Sequence, residues 1–290
     1  MILIHHAGKM GDLIYALPVL RALARIKKDK IHLITSGLCW QLVPLLWEQP
    51  YIAQVDLDDT RSYQITDKVT RNWEFFKAGE GLNLSLQPDM ITMSEPTWTN
   101  IYMTLCGVSE LQVEDCMALP SLVNHRRWHY GVKVTINEEL QNLAKTYVVA
   151  PEVETLESAS LSTWLAIMGA LAEHGRVLIV GRGTTIDWLL EYLATGRDGA
   201  DRLVDLRGLT TVPTMARLIA EATGFIGAHS FPWHLARHCE VPAVCIQRWL
   251  PTLYRCKVID TPAVWLEPDS WDLGIQALLH PDTIKPGGAI

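Results

Sequence analysis

Two stretches of the sequence carry residues that could act on a hydroxyl group or on a phosphate. The first is MGDLIYALPVLRAL, in which Asp12 follows Gly11 at the start of a helical pattern. A carboxylate at this point could accept a proton from an attacking hydroxyl group. Asp12 could instead cap the helix, because its oxygens accept hydrogen bonds from the first backbone N–H groups. Spacing alone favours the cap.

The second stretch is GFIGAHSFPWHLARHCEVPAVCI, which runs from Gly224 to Ile246. Its order predicts a strand, a tight loop, a helix from Pro232 and another strand. The free N–H groups at the start of such a helix favour an anion such as a phosphate, and Ser230 adds a hydroxyl. An ordinary junction, with Ser230 as N-cap and Pro232 just inside the helix, explains the same residues. Spacing alone favours the junction.

Strands and helices alternate through both halves of the chain, which predicts a parallel sheet in each half. The fold class is α/β, with two Rossmann-like lobes of GT-B type, a cleft between them and a C-terminal helix. The N-terminal lobe is predicted at residues 1–140 and the C-terminal lobe at residues 141–290. Ligands of such sheets bind at the carboxyl ends of the strands.

The sequence also predicts where two residues lie relative to the ends of helices. Pro18 is expected near the start of a helix over residues 13–28, where proline is tolerated best. Gly175 follows the helical pattern LSTWLAIMGALAEH and is expected to end that helix as its C′ residue, the position that favours glycine.

The composition limits the function classes. The 290 residues include 25 basic and 32 acidic side chains, for a net charge of −7, which argues against a protein that wraps duplex DNA. A local basic groove stays possible, and HRRWHYGVK, from His125, is one candidate. The six cysteines form no C-x-x-C pair, and no apolar run has transmembrane length. We therefore expect a cytoplasmic protein with reduced thiols and no integral membrane contact.

Taken together, the two stretches resemble the heptosyltransferases, glycosyltransferase family 9. MGDLIYALPVLRAL matches that family's Gly-Asp, then an apolar residue, then Pro and Leu-Arg. GLTTVPTMARLIAEATGFIGAHSFPWHLARHCEVPAVCI matches its capped helix, apolar strand, phosphate loop and following helix. The clear resemblance covers residues 1–27 and about 147–250. It implies an inverting GT-B glycosyltransferase that needs neither a metal nor a cofactor and takes a nucleoside-diphosphate sugar as co-substrate.

The resemblance also implies roles for individual residues. Asp12 matches the family's catalytic base. Ser230, Pro232 and His234 match the loop and helix that hold the donor's diphosphate. The other expected donor-side residues lie at strand exits or in the same loop: Gly181, Arg182, Gly208, His229, Phe231 and Arg248. The expected acceptor-side residues are His6, Lys9 and Gly11, with His6 where the family has a lysine.

Three departures from the family pattern bear on activity. His229 stands where the family has Asp, Phe231 stands where it has Gly, and the lysine expected after the first C-terminal strand is absent, so Arg182 or Arg248 would have to replace its charge. The alternative to an enzyme is a GT-B module that binds a nucleotide or a partner without turnover. A nucleotide-sugar epimerase of the same fold fits the motifs less well.

The acceptor is predicted less closely than the donor. A glycan precursor is favoured through the family, and a hydroxylated DNA base stays open because the donor loop has diverged. We expect no metal site: DLDD at residues 56–59 is better explained as a solvated turn, and the pair His234 and His238 lacks an evident third ligand. The sequence does not indicate an oligomeric state.

Overall fold

The chain forms two compact units, each built on a parallel sheet, and this confirms the α/β class. The computed structural model describes residues 1–6, 8–58, 81–84, 98–112, 115, 128–129, 132–133, 145–152, 158–182, 199–239, 241–247 and 263–283. Described residues up to 115 belong to the first unit, and those from 128 onward belong to the second. The lobe boundary at residues 140 and 141 stays a prediction, although the described residues 128–129 and 132–133, which it would assign to the first lobe, belong to the second compact unit.

The first unit contains a four-stranded sheet in the order β3-β2-β1-β4. All of its strand pairs are parallel. One face is covered by the long first helix, whose leucines recur at helical spacing and are almost fully buried. The elements are β1 (Ile2–His6), α1 (Met10–Lys27), β2 (Ile31–Ser36), a 3₁₀ helix (Gly37–Leu42), α2 (Val43–Trp47), β3 (Ile52–Asp58), β4 (Leu82–Asn83) and α3 (Trp98–Cys106).

Helix α1 begins earlier than its apolar pattern indicates. It starts at Met10, so Pro18 lies in the middle of the helix rather than near its start. The prediction for Pro18 was therefore wrong, since the GD pair forms the first turn instead of preceding it. A proline at this point removes the hydrogen bond that an N–H group would donate to Ile14. Packing of the helix offsets this loss, because Pro18 and its neighbours from Leu13 to Leu20 are buried.

The second unit contains a six-stranded sheet in the order β12-β11-β10-β7-β8-β9. Every pair in it is parallel, and β7 is buried at all of its positions. A separate antiparallel pair, β5 (Trp128–His129) and β6 (Val132–Lys133), lies inside the basic stretch HRRWHYGVK. The other elements are β7 (Thr146–Ala150), α4 (Leu161–His174), β8 (Arg176–Ile179), β9 (Leu203–Asp205), α5 (Val212–Glu221), β10 (Gly224–Gly227), α6 (Phe231–His238), β11 (Ala243–Ile246), β12 (Ala263–Leu266) and α7 (Trp271–Leu279).

Each of the two parallel sheets reverses its strand order beside the first strand of that sheet. In the first unit the reversal lies between β1 and β4, and in the second it lies between β7 and β10. Ligands of open α/β sheets bind outside the carboxyl ends of the strands at such a reversal. The two motifs of the sequence follow β1 and β10, so the topology puts both of them at a ligand-binding position.

Among the described helices, none is both long enough and apolar enough to cross a membrane.

Gly175 ends α4, but for a different reason from the predicted one. Its φ is −179°, which is extended backbone that any residue can adopt, so a left-handed conformation does not select glycine here. Space selects it instead, because a Cβ atom on Gly175 would lie 1.9 Å from the carbonyl oxygen of Lys145.

Replacing Gly175 with Ala should therefore destabilise the protein by about 3 kcal/mol, since backbone atoms must move to admit the methyl group. Urea unfolding measures this free energy. Gly107→Ala is the matched control, because Gly107 has a φ of +64° and a Cβ added to it would meet no atom within 4 Å, so only conformational strain of about 1 kcal/mol is added. Equal losses in the two variants would contradict the steric explanation.

Candidate functional site

Asp12 lies in the first turn of α1, directly after the carboxyl end of β1. Its Oδ2 accepts a hydrogen bond from the backbone N–H of Lys9 at 2.9 Å. Burial raises the pKa of Asp12 to about 6, although the hydrogen bond and the charge of Lys9 oppose that shift. The carboxylate thus caps the helix and is also a stronger proton acceptor than an ordinary aspartate. The two interpretations of Asp12 are compatible.

Gly8 makes room for the side chains around Asp12. A Cβ atom on Gly8 would lie 2.8 Å from His6 Cε1 and 3.0 Å from Asp12 Oδ2. The thiol of Cys39 donates to the Gly8 carbonyl oxygen at 3.5 Å, which ties the 3₁₀ helix after β2 to this loop. Gly11 is buried inside the first turn of α1. Sequence analysis missed Gly8, although the two glycines before Asp12, Gly8 and Gly11, could have indicated a closely packed loop there.

His6 is fully buried at the end of β1. Its Nε2 lies 3.2 Å from the hydroxyl of Tyr102 on α3. Burial lowers the pKa of His6 to about 3, so the imidazole is neutral at physiological pH. His6 therefore does not supply the positive charge of the lysine that it replaces. Lys9 is the cation that acts on Asp12.

The loop after β10 leads into α6, which begins at Phe231, one residue before the predicted start. Ser230 occupies the N-cap position as predicted, but its hydroxyl donates to the carbonyl oxygen of Ala228 at 3.3 Å. It accepts no hydrogen bond from the helix, so no side chain in the described part of the chain caps the first turn. The first N–H groups of α6 therefore face the loop without a side-chain cap, as an anion site requires.

The imidazoles of this loop and helix are packed together and neutral. The rings of His229 and His234 meet edge to face, with centroids 4.9 Å apart. Burial lowers the pKa of His229 to about 4, and it lowers the pKa of His234 well below the ordinary value. Nδ1 of His238 lies 2.8 Å from the His234 carbonyl oxygen. Pro232 is buried and Phe231 half-buried at the helix start, so this loop presents neutral groups in place of the family's carboxylate.

The exits of β7, β8 and β9 are joined by an ion-pair network around the buried Arg207. The guanidinium of Arg207 donates to both carboxylate oxygens of Asp205, at 2.9 and 3.0 Å, and to Glu152 at 3.5 Å. Glu152 also accepts from the backbone N–H of Arg182 at 2.7 Å. Sequence analysis missed Glu152, Asp205 and Arg207. The position of DLRG after a predicted strand was the only local signal.

The predicted glycines support this network. Gly208 donates its N–H to the carbonyl oxygen of Gly181 at 2.8 Å. Both have positive φ, +144° at Gly181 and +68° at Gly208, and a Cβ on Gly181 would lie 2.6 Å from Glu152 Oε2. The side chain of Arg182 is exposed at the same edge.

The structure thus brings together His6, Gly8, Lys9, Gly11 and Asp12 in the first unit. In the second unit it brings together His229, Ser230, Phe231, Pro232 and His234, and separately Gly181, Arg182 and Gly208. Arg248 lies outside the described residues, as does most of HRRWHYGVK. In the described part of the chain, no group of three or more His, Cys, Asp or Glu side chains could hold a metal ion.

Comparison with known proteins identifies the fold. No protein-family model matches the sequence, and no curated protein matches it. A structure of E. coli ADP-heptose LPS heptosyltransferase II is 14% identical over 97% of this chain and 99% of its own, with a TM-score of 0.66. A glycosyl transferase family 9 structure from Veillonella parvula is 12% identical over 100% and 93%, with a TM-score of 0.61.

A third similar structure belongs to a different activity class. It is a putative UDP-N-acetylglucosamine 2-epimerase from Listeria monocytogenes, 10% identical over 99% of this chain and 92% of its own, with a TM-score of 0.55. The two structures named above match with higher TM-scores, 0.66 and 0.61. The motifs of the sequence and the course of the backbone therefore agree: the chain has the GT-B fold and resembles the heptosyltransferases of glycosyltransferase family 9.

Proposed function

We propose that the protein transfers a sugar from a nucleoside-diphosphate sugar to a hydroxyl group of an acceptor. The observation that carries this proposal is the carboxylate of Asp12, which lies at the strand-order reversal of the first sheet with a pKa raised to about 6. A base with this pKa can accept a proton near neutral pH, whereas an ordinary aspartate is a weaker acceptor.

In the proposed reaction, Asp12 accepts the proton of the acceptor hydroxyl as its oxygen attacks the anomeric carbon of the donor sugar. The bond between that carbon and the diphosphate oxygen breaks as the new carbon–oxygen bond forms. One displacement inverts the anomeric configuration. The products are the glycosylated acceptor and the nucleoside diphosphate, and the proton stays on Asp12 until solvent removes it. The step requires no metal.

The charge of the leaving diphosphate would be stabilised by the first N–H groups of α6 and by the hydroxyl of Ser230. The missing side-chain cap on α6 supports this role, because a capping side chain would compete with the ligand for those N–H groups. Arg182 and Arg248 are the proposed cations for the diphosphate. His229 and Phe231 replace the family's carboxylate and glycine, so we propose a sugar that differs from the usual heptose.

We favour a glycan precursor as the acceptor. The similar E. coli structure with a TM-score of 0.66 is named as an ADP-heptose LPS heptosyltransferase. The net charge of −7 also disfavours a DNA acceptor, because long-range repulsion opposes binding to a polyanion. A hydroxylated DNA base is therefore the second choice.

A thermal-shift series with nucleoside diphosphates and their sugar conjugates tests the proposal. Ligand at about 100 times its Kd stabilises the native state by about 2.7 kcal/mol, which raises Tm by roughly 5–10 °C. We expect a shift with one nucleotide class, with adenine nucleotides tested first. Ser230→Ala should reduce that shift. Ser162→Ala, which changes a serine in the first turn of α4, should not. A folded sample that responds to no nucleotide would overturn the proposal.

A second candidate function is a module that binds a nucleotide or a partner without turnover. The buried, neutral His229 and the half-buried Phe231 favour it, because they remove from the donor loop the carboxylate and the space that the family uses. A nucleotide-induced shift combined with no sugar transfer to any acceptor would support this candidate.

A further inference from the structure

A cavity of about 320 Å³ lies at the amino ends of β2 and β3, at the sheet edge opposite Asp12. It is formed by the last turns of α1, the connection to β2 and the segment before β3. Its lining residues are Arg21, Ala24, Arg25, Lys28, Asp29, Lys30, Pro50 and Tyr51. A cavity of this volume can admit a small ligand. None of these residues belongs to the site described above.

The charge of the cavity is strongly positive within a protein of net negative charge. Among the described residues, four cationic side chains line it, and Asp29 is the only acidic one. One further carboxylate, Asp115, accepts from the Arg25 guanidinium at 2.8 and 3.2 Å and fixes that side chain at the rim. Cations thus outnumber carboxylates two to one even when Asp115 is included.

Basic residues at a helix C-terminus have an ordinary explanation, because they offset the negative end of the helix dipole. Lys28 goes beyond that explanation. It caps α1 in the left-handed conformation, with φ 53° and ψ 37°, where glycine or asparagine would be less strained. Lys27, one residue earlier, is exposed, has helical backbone and does not line the cavity. A strained position is thus occupied by a lysine that faces the cavity.

Tyr51 supplies an independent observation. The residue is 7% exposed, and its hydroxyl has no hydrogen-bond partner among the described residues. Burial raises the pKa of Tyr51, and the charge of nearby Arg21 opposes that shift, so a protonated hydroxyl lies within electrostatic reach of a guanidinium. A buried hydroxyl without a partner is destabilising, and an anion bound by the same cations would provide the acceptor it lacks.

We propose that this cavity binds the phosphate group of a small phosphorylated molecule, held by Lys28, Lys30 and Arg21 and by the hydroxyl of Tyr51. The backbone of Tyr51 is already fixed, since its carbonyl oxygen accepts from Ile31 N at 2.9 Å. The site is separate from the proposed donor and acceptor sites, so it does not depend on the transferase activity.

Calorimetric titration of the full chain with inorganic phosphate at low ionic strength tests the site. We expect saturable binding that weakens roughly tenfold in Lys30→Ala and about threefold to tenfold in Tyr51→Phe. Lys27→Ala is the matched control, because it removes the same charge from the same helix end without touching the cavity, and it should change affinity by less than about twofold. Lys28→Gly should raise Tm by relieving the strained backbone while weakening phosphate binding.

The outcomes separate this site from the proposed donor site. Phosphate binding that is lost in Ser230→Ala and kept in Lys30→Ala would belong to the loop after β10 and would overturn the inference. Equal weakening in Lys27→Ala and Lys30→Ala would show that phosphate binding follows the overall charge of this region and not the cavity. That result would also overturn the inference. Glycerol 3-phosphate, compared with phosphatidylcholine vesicles with and without phosphatidic acid, distinguishes a free phosphate ester from a lipid headgroup.

Discussion

Asp12→Asn should lower the rate of sugar transfer by roughly 10²–10⁴-fold while leaving nucleotide affinity almost unchanged. The amide cannot accept the acceptor's proton, but its oxygen can still accept the hydrogen bond from the N–H of Lys9 that Asp12 accepts at 2.9 Å. The helix cap is therefore preserved, and the variant should fold with a Tm close to that of the parent. A residue that acts only as a cap would show no loss of rate.

The pH dependence gives a second measure of the same carboxylate. Because burial raises the pKa of Asp12 to about 6, the base is protonated below that pH. We expect kcat/KM to rise with pH through about 6 and then to level off. An ordinary aspartate would place that rise near about pH 4.

Asp272→Asn is the control for this variant, because Asp272 also lies in the first turn of a helix, α7, but in the second unit's C-terminal region. It should alter neither the rate nor its pH profile. Steady-state rates with the nucleotide-sugar found by thermal shift, at saturating acceptor, measure both variants. An unchanged turnover number in Asp12→Asn would remove Asp12 from the proposed mechanism.

The second large effect concerns stability in acid. Burial lowers the pKa of His6 to about 3 and that of His229 and His238 to about 4, so these imidazoles resist protonation in the native state. In the unfolded chain they protonate near about pH 6.5. The unfolded state therefore binds more protons below that value, and stability is fully present above about pH 6.5 and is lost as the pH falls toward about 4.

We expect the free energy of unfolding to fall by on the order of 5 kcal/mol between about pH 7.5 and about pH 5. Asp12 opposes part of this loss, because its raised pKa makes the native state take up a proton below about pH 6. Urea unfolding at a series of pH values measures the slope.

His238→Gln should reduce the slope of the unfolding free energy against pH by the equivalent of about one bound proton. The variant should fold, since the Gln amide can replace the ring N–H that bonds the His234 carbonyl oxygen. His174→Gln, which changes an exposed residue at the end of α4, should leave the slope unchanged. Identical slopes in the parent and in His238→Gln would show that this buried imidazole does not govern acid stability.

The sequence allows the local part of the site to be predicted because its signals lie close together in the chain. β10 and the start of α6 are indicated by an apolar run, by the short polar loop after it and by the proline that follows this loop. The same logic places Asp12 in the first turn of a helix after β1. Each of these signals depends on backbone conformation over about ten residues, which residue types control directly.

The rest of the site depends on contacts between distant residues, which no local pattern contains. Tyr102 reaches His6 across 96 positions of sequence, and Arg207 reaches Glu152 across 55. Burial of the histidines follows from these tertiary contacts, and so does their loss of charge. Gly175 is a further case that no local pattern predicts. The position requires glycine because the carbonyl oxygen of Lys145, just before β7, leaves no space for a Cβ atom, and not because of the φ of Gly175 itself.

The central place of β7 in its sheet has a consequence for how the second unit forms during synthesis. Residues Thr146–Ala150 are buried throughout, and one side of this strand pairs only with β10, whose first residue is Gly224. A nascent chain that has already paired β7 with β8, and β8 with β9, still exposes that edge of β7 to solvent and to other chains. The loop between β10 and α6 directly follows the strand that covers this edge. We therefore expect the region that would bind the diphosphate to form together with the pairing that removes an exposed strand edge.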